Sequence, residues 1–126
     1  MNDEKSLLIV EDDSDFRDSL MIIFKNVFGK VDVASNLEDA LSLIQKKNYS
    51  CIITDGVFPE KGNYKITHAS PADFRGNAVI NAAKARNILV IGISSEPKYF
   101  KNADAIFKKP INISEVKNFI KKSLSI

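Results

Sequence analysis

The residues of this chain best suited to chemistry are acids, one hydroxyl and one lysine, each placed just past a short apolar run. Glu11-Asp12-Asp13 follows Leu7-Leu8-Ile9-Val10, Asp55 follows Cys51-Ile52-Ile53-Thr54, Ser94 closes Ile88 to Ile93, and Lys109 follows Ala105-Ile106-Phe107-Lys108. An aspartate can attack phosphorus and hold a phosphoryl group as an acyl phosphate. Such transfer needs charge neutralised and oxygens held in line more than it needs covalent help. Carboxylates beside Asp55 would repel it unless a divalent cation sat between them. Mg2+ (or Mn2+) suits a site of one or two carboxylates, a carbonyl, waters and phosphate oxygens. Lys109 can offer a compact positive charge to one phosphoryl oxygen and the Ser94 hydroxyl a hydrogen bond to another.

The elements that must position these groups alternate along the chain. Leu7–Val10 reads as a strand buried on both faces. Asp13 or Ser14 can cap a following helix whose apolar positions are Phe16, Leu20, Ile23, Phe24 and Val27, with Gly29 as its stop. Lys30 to Ala34 alternates as a second strand. Asn36 followed by Asp39 marks the start of a second helix with Leu37, Ala40, Leu41 and Ile44 on its inner face. Cys51–Thr54, Ile88–Ile93 and Ala105–Phe107 supply three further strands. Asn112 with Glu115 opens a last helix carrying Val116, Phe119, Ile120 and Leu124. Alternation of this kind implies a mostly parallel sheet covered on both faces, with the most apolar strands, the first, third and fourth, at its centre. Ligands of such sheets bind at the carboxyl ends of the strands, where all the candidate residues fall.

Composition narrows the classes. The chain has 126 residues, 44% hydrophobic and 27% charged, enough for one domain with its own core, read here as spanning residues 1–126. A net charge of +2 lacks the basic excess of a nucleic-acid binder. A single cysteine, Cys51, allows no internal disulfide and favours a reducing compartment. No apolar run reaches membrane-spanning length, and the acidic start, Met1-Asn2-Asp3-Glu4-Lys5, is unlike a secretory signal, so a cytoplasmic protein is expected. The charge is uneven: residues 1–18 carry seven acids and residues 98–126 seven lysines.

Four motifs in order, Leu7-Leu8-Ile9-Val10-Glu11-Asp12-Asp13, Tyr49-Ser50-Cys51-Ile52-Ile53-Thr54-Asp55 with Pro59, Val90-Ile91-Gly92-Ile93-Ser94-Ser95, and Phe107-Lys108-Lys109-Pro110, resemble the receiver domain of two-component response regulators over nearly the whole chain. The resemblance implies a flavodoxin-like (CheY-like) doubly wound five-stranded parallel sheet of order 2-1-3-4-5. It also implies that Asp55 is the phosphoacceptor, Glu11 and Asp12 the metal-binding acid pair, Val57 the donor of a backbone carbonyl to the metal, Ser94 the hydroxyl switch residue and Lys109 the phosphate-contacting lysine. Asp13 lies beyond the pair and is read as a helix-start residue. The implied partners are a sensor histidine kinase or a histidine phosphotransfer protein, together with a downstream protein target. No enzyme activity is implied beyond self-directed phosphotransfer and autodephosphorylation.

Three features depart from the family pattern. Residues 60–75 form an insertion of roughly a dozen residues where the family passes quickly from proline to glycine. Only fourteen residues separate Ser94 from Lys109, and Pro97 interrupts them, so one or two helical turns around Tyr99 and Phe100 are expected there. The aromatic switch position falls on Ile106, with Phe107 beside it. The insertion is accordingly a candidate partner-contacting or gating element. Two other readings stay open: a degenerate receiver that binds partners without phosphorylation, and a phosphatase of the haloacid dehalogenase type suggested by Thr54-Asp55-Gly56-Val57. The latter chemistry wants an acid where Val57 stands. His68 reads as a loop residue and Cys51 as a small core residue. Tyr64, Phe74, Tyr99 and Phe100 are either loop anchors or a partner-binding patch.

Overall fold

The computed structural model describes residues 5–126; Asp3 and Glu4 of the acidic N-terminal run lie outside the described residues. Five strands, β1 (Ser6–Val10), β2 (Lys30–Ala34), β3 (Cys51–Asp55), β4 (Leu89–Ser94) and β5 (Ala105–Lys108), form one sheet of order β2-β1-β3-β4-β5. Every neighbouring pair is parallel. Three α-helices make the first three crossovers, α1 (Ser14–Phe24), α2 (Leu37–Lys46) and α3 (Gly76–Ala85), and a fourth, α4 (Ile113–Leu124), follows β5.

Side chains alternate across each strand, and this alternation separates the core into two layers. Leu8, Val10, Ile52 and Val90 point to one face, where they meet Ala40 and Ile44 of α2 and Val79, Ile80 and Ala83 of α3. Leu7, Ile9, Ile53, Ile91 and Ile93 point to the other, against Leu20 and Phe24 of α1 and Val116 and Ile120 of α4. Coverage of both faces explains why β1, β3 and β4 are apolar along most of their length. The helix starts use the expected side chains. Asp13 accepts the N–H groups of Asp15 and Phe16, Asn36 accepts that of Asp39, and Asn112 that of Glu115.

Local readings of the sequence differ from the structure in two places, and one further helix carries no start signal. Helix α1 ends at Phe24, well before Gly29. The chain leaves the helix through a turn, with the N–H groups of Val27 and Phe28 donating to the Phe24 carbonyl, and both Val27 and Phe28 are buried. Burying two large apolar side chains outweighs another helical turn, and Gly29 instead joins the sheet edge by donating to Lys5 O at 3.1 Å. On α2, Leu43 rather than Leu41 packs against the core beside Leu37. Helix α3 begins without a side-chain cap, so no start signal marks it in the sequence, although Val79, Ile80 and Ala83 carry a helical stripe.

Between β4 and β5 only a single 3-10 turn, Pro97–Tyr99, is present, as the short spacing requires. The insertion carries a second 3-10 turn, Pro71–Asp73. No helix among the described residues is long and apolar enough to cross a membrane.

Candidate functional site

Parallel pairing brings the carboxyl ends of β1, β3, β4 and β5 to one edge of the sheet. Glu11 follows β1 and is tied to β2 by its N–H, which donates to Ala34 O at 3.0 Å. Its side chain is only 1% exposed, and its Oε2 accepts the Asp13 N–H at 3.2 Å. Asp55, the last residue of β3, is 7% exposed, and its Oδ1 accepts the Gly56 N–H at 2.7 Å. Lys109 is held beyond β5 by its N–H, which donates to Ser94 O at 2.9 Å. From there its Nζ reaches Glu11 Oε1 at 3.0 Å and Asp55 Oδ2 at 3.2 Å. The same ammonium lies 4.8 Å from the centroid of the Phe16 ring, a cation–π contact from the first turn of α1.

The electrostatics follow from this crowding. Burial, then the charge of Asp55, pushes the Glu11 carboxyl up to about 8. Burial also raises Asp55, against the opposing pull of Lys109. Burial works to lower Lys109, but the two carboxylates outweigh it and hold the ammonium above its ordinary value. One lysine is thus shared by two buried acids.

A third acid completes the cluster. Glu11, Asp12 and Asp55 each present a carboxylate oxygen within 4.8 Å of the others. Three hard oxygen donors this close, two of them buried and short of positive charge, suit a divalent cation of the Mg2+ type. Val57 lines the same cavity.

Glu11, Asp12, Asp55, Val57 and Lys109 therefore meet at one place, as expected from the sequence. Ser94 is 3% exposed at the end of β4, and its Oγ accepts the Glu96 N–H at 2.9 Å, leaving its own proton free to donate. Asp13 is the helix cap. His68 is exposed on the insertion, and Cys51 is buried in β3, where burial drives its thiol well above the ordinary range.

Two parts of the site carry no signal in the sequence. Phe16, whose spacing marks it only as a core position, forms the face on which the Lys109 ammonium rests. The cavity, of about 570 Å³, is walled on one side by Asn63, Tyr64, Lys65 and Ile66 of the insertion. No periodicity in that segment signals where it lies.

The aromatic residues left open by the sequence divide. Phe74, Tyr99 and Phe100 anchor one another, with Phe74 to Phe100 at 4.9 Å edge to face and Phe74 to Tyr99 at 5.5 Å. Tyr64 remains 55% exposed.

No protein-family model matches the sequence. An uncharacterized 14.6 kDa protein from the sodA1 3′ region of Leptolyngbya boryana is 30% identical over 63 residues, 50% of this chain and 48% of that protein. The match thus spans about half the length of this relative.

Solved structures are similar over almost the full length. A CheY-like response regulator receiver domain protein from Methanospirillum hungatei JF-1 has a TM-score of 0.74 at 23% identity, covering 96% of this chain and 94% of that one. The response regulator TrrA from Thermotoga maritima, in complex with Mg2+ and BeF, has a TM-score of 0.73 at 24% identity, covering 94% and 97%. The receiver domain of the sensor histidine kinase PA1611 from Pseudomonas aeruginosa PAO1, with a magnesium ion coordinated in its active-site cleft, has a TM-score of 0.73 at 13% identity, covering 97% and 98%. The fold is that of the CheY-like receiver domains.

Proposed function

We propose that this chain is a phosphoacceptor receiver: Asp55 takes a phosphoryl group from a phosphohistidine of a sensor kinase or phosphotransfer protein, and the phosphorylated form signals through protein contacts. The observation that carries this reading is the shared lysine, with Lys109 Nζ 3.0 Å from Glu11 and 3.2 Å from Asp55 at the mouth of a three-carboxylate cluster. A structural ion pair needs one acid, whereas this site crowds two further acids, Glu11 and Asp12, around Asp55 at the ligand-binding edge of a parallel sheet.

In the transfer, an Asp55 carboxylate oxygen forms the new P–O bond. The P–N bond of the donor breaks, and its electron pair leaves with the imidazole, which takes up a proton. Gly56 N–H holds Oδ1 of Asp55 and so orients the carboxylate. Lys109 is placed to shift from Asp55 to a phosphoryl oxygen, and the free proton of Ser94 is a donor for another. Mg2+ or Mn2+, when bound by Glu11, Asp12, Asp55 and the Val57 carbonyl, supplies the positive charge that lets the acids and a phosphoryl group share one cavity.

Incubation with acetyl phosphate and Mg2+ should add the mass of one phosphoryl group. Asp55→Asn or a chelator should abolish the gain, and equal labelling of the Asp55→Asn chain would refute the assignment. A second reading, a receiver that binds partners without phosphorylation, draws on the reduction of the β4–β5 connection to a single turn. The same experiment separates the two, since that reading expects no mass gain.

A further inference from the structure

The geometry points to Lys65, carried by the insertion, as a second cation of the phosphorylation cavity that prolongs the life of the phosphoryl group on Asp55. This inference rests on the reading of Asp55 as the acceptor. It starts from how the insertion is held. Its first residues are fastened to the start of α2: the N–H groups of Leu37 and Glu38 donate to the carbonyls of Pro59 and Glu60 at 3.0 and 2.9 Å. Asn36 Nδ2 donates to Gly62 O at 3.1 Å, and Ser35 Oγ donates to Asn63 Oδ1 at 2.9 Å. Gly62, with φ of 78°, turns the chain at this point, a conformation that favours glycine. The next residues, Asn63 to Ile66, become the cavity wall. The wall is therefore built on a helix start and is not a free flap.

Charge gives the wall a role. Five carboxylates line the cavity, those of Glu11, Asp12, Asp13, Asp15 and Asp55, against only two ammonium groups, Lys65 and Lys109. Lys109 already spans Glu11 and Asp55, and once it shifts to one phosphoryl oxygen it leaves the others to a different donor. Lys65 takes part in none of the ion pairs found among the described residues, although it shares a cavity with five acids. A phosphoryl group brings about −1.5 to −2 charges and three strong acceptor oxygens. An exposed lysine on a flexible four-carbon stem, mounted on a fixed wall, can close on those oxygens.

Loss of the phosphoryl group requires a water oxygen to bond to phosphorus while the P–O bond to Asp55 breaks, returning the electron pair to the carboxylate and releasing inorganic phosphate. That water must reach a position in line with the breaking bond. A lysine paired across the open side of the group competes for this approach.

The test measures lifetime. The full chain and its Lys65→Ala and Lys65→Arg variants are loaded with acetyl phosphate and Mg2+, desalted into the same Mg2+ concentration, and followed by intact mass. Lys65→Ala should shorten the half-life by about two- to fivefold, the factor to which an exposed ion pair's free energy converts. Lys65→Arg should restore most of the loss. Added salt should shorten the half-life of the unaltered chain more than that of Lys65→Ala, because the contact is screened. Equal melting temperatures for the three chains, expected because Lys65 is exposed, exclude a folding effect. An unchanged or longer half-life in Lys65→Ala overturns this inference alone. Failure of the unaltered chain to label overturns the reading of Asp55 and this inference with it.

Discussion

Lys109 neutralises two buried carboxylates at once, so substitutions within the cluster should move stability in opposite directions. Lys109→Ala leaves Glu11 and Asp55 facing each other with no counter-charge. The strand-end position alone suggests a surface-like loss of roughly 0.5 kcal/mol or less. The buried acids raise the expected loss to about 2 kcal/mol when divalent cations are chelated. Above about pH 8, where the Glu11 carboxyl is ionised as well, Asp55→Asn removes one of two like charges and lets Lys109 serve Glu11 alone. It should stabilise the chelated protein by about 1 kcal/mol, the gain typical where a functional site is relieved of strain. Urea unfolding in chelator checks both signs, and destabilisation by Asp55→Asn would show that the attraction of Lys109 for Asp55 outweighs the repulsion between the acids. At this scale the sequence was legible because chemistry-bearing types stand at strand ends: Glu11, Asp12, Asp55, Ser94 and Lys109 could be picked out from their positions alone. Phe16 could not, since its helical spacing is the same whether it faces the core or a lysine.

Among the elements, the insertion and the shortened β4–β5 connection turn out to be joined. The Phe74 ring lies over Gly56, where even a methyl group would overlap it, and it meets Tyr99 and Phe100 from the connection. The Phe100 ring in turn covers Gly92, whose added methyl group would fall 2.8 Å from it. Asn77 of α3 stitches the same place, donating from Nδ2 to Tyr99 O and accepting the Lys101 N–H at Oδ1, both at 2.8 Å. An aromatic cluster thus occupies the region where a helix is missing. Phe74→Ala should cost about 2–3 kcal/mol, below the range for a fully buried phenylalanine because Phe74 is only partly covered. It should also speed amide hydrogen exchange in both 60–75 and 97–101. Faster exchange in only one of these segments would show that they are not coupled. The alternation of strands and helices and the caps at Asp13, Asn36 and Asn112 were readable because each depends on near neighbours in the chain, whereas the order of the sheet came only from the resemblance to receiver domains. The end of α1 and the path of the insertion were not. The first is decided by burial of Val27 and Phe28 against the sheet, the second by hydrogen bonds from Ser35 and Asn36, more than twenty residues earlier in the chain.

On the scale of the whole molecule, the sheet has a chemical edge and a structural edge. The carboxyl ends of the strands hold the crowded acids, a cost to stability that the rest of the fold must offset. At the opposite edge, Tyr49 precedes β3 and its hydroxyl donates to Asp32 Oδ2 of β2 at 2.6 Å, while Lys47 Nζ reaches the same oxygen at 3.0 Å. These contacts tie the outer strand β2 to the α2–β3 connection. Burial alone would raise the Asp32 carboxyl, but the Tyr49 hydrogen bond and the charges of Lys47 and Lys30 bring it below its ordinary value. The folded state therefore binds this proton less readily than the unfolded chain. The stabilisation is complete above the unfolded value, about 3.9, and is lost as pH falls through the lower folded value. Tyr49 is 5% exposed, so Tyr49→Phe removes the hydrogen bond while keeping the ring in place. At pH 7 this variant should lose about 1 kcal/mol in urea unfolding, the net worth of a hydrogen bond that Lys47 partly replaces. The difference from the unaltered chain should shrink as pH falls below about 4, once Asp32 takes up its proton. A gap that stays constant to pH 3 would mean that the Tyr49 contribution is packing rather than a hydrogen bond to a charged partner.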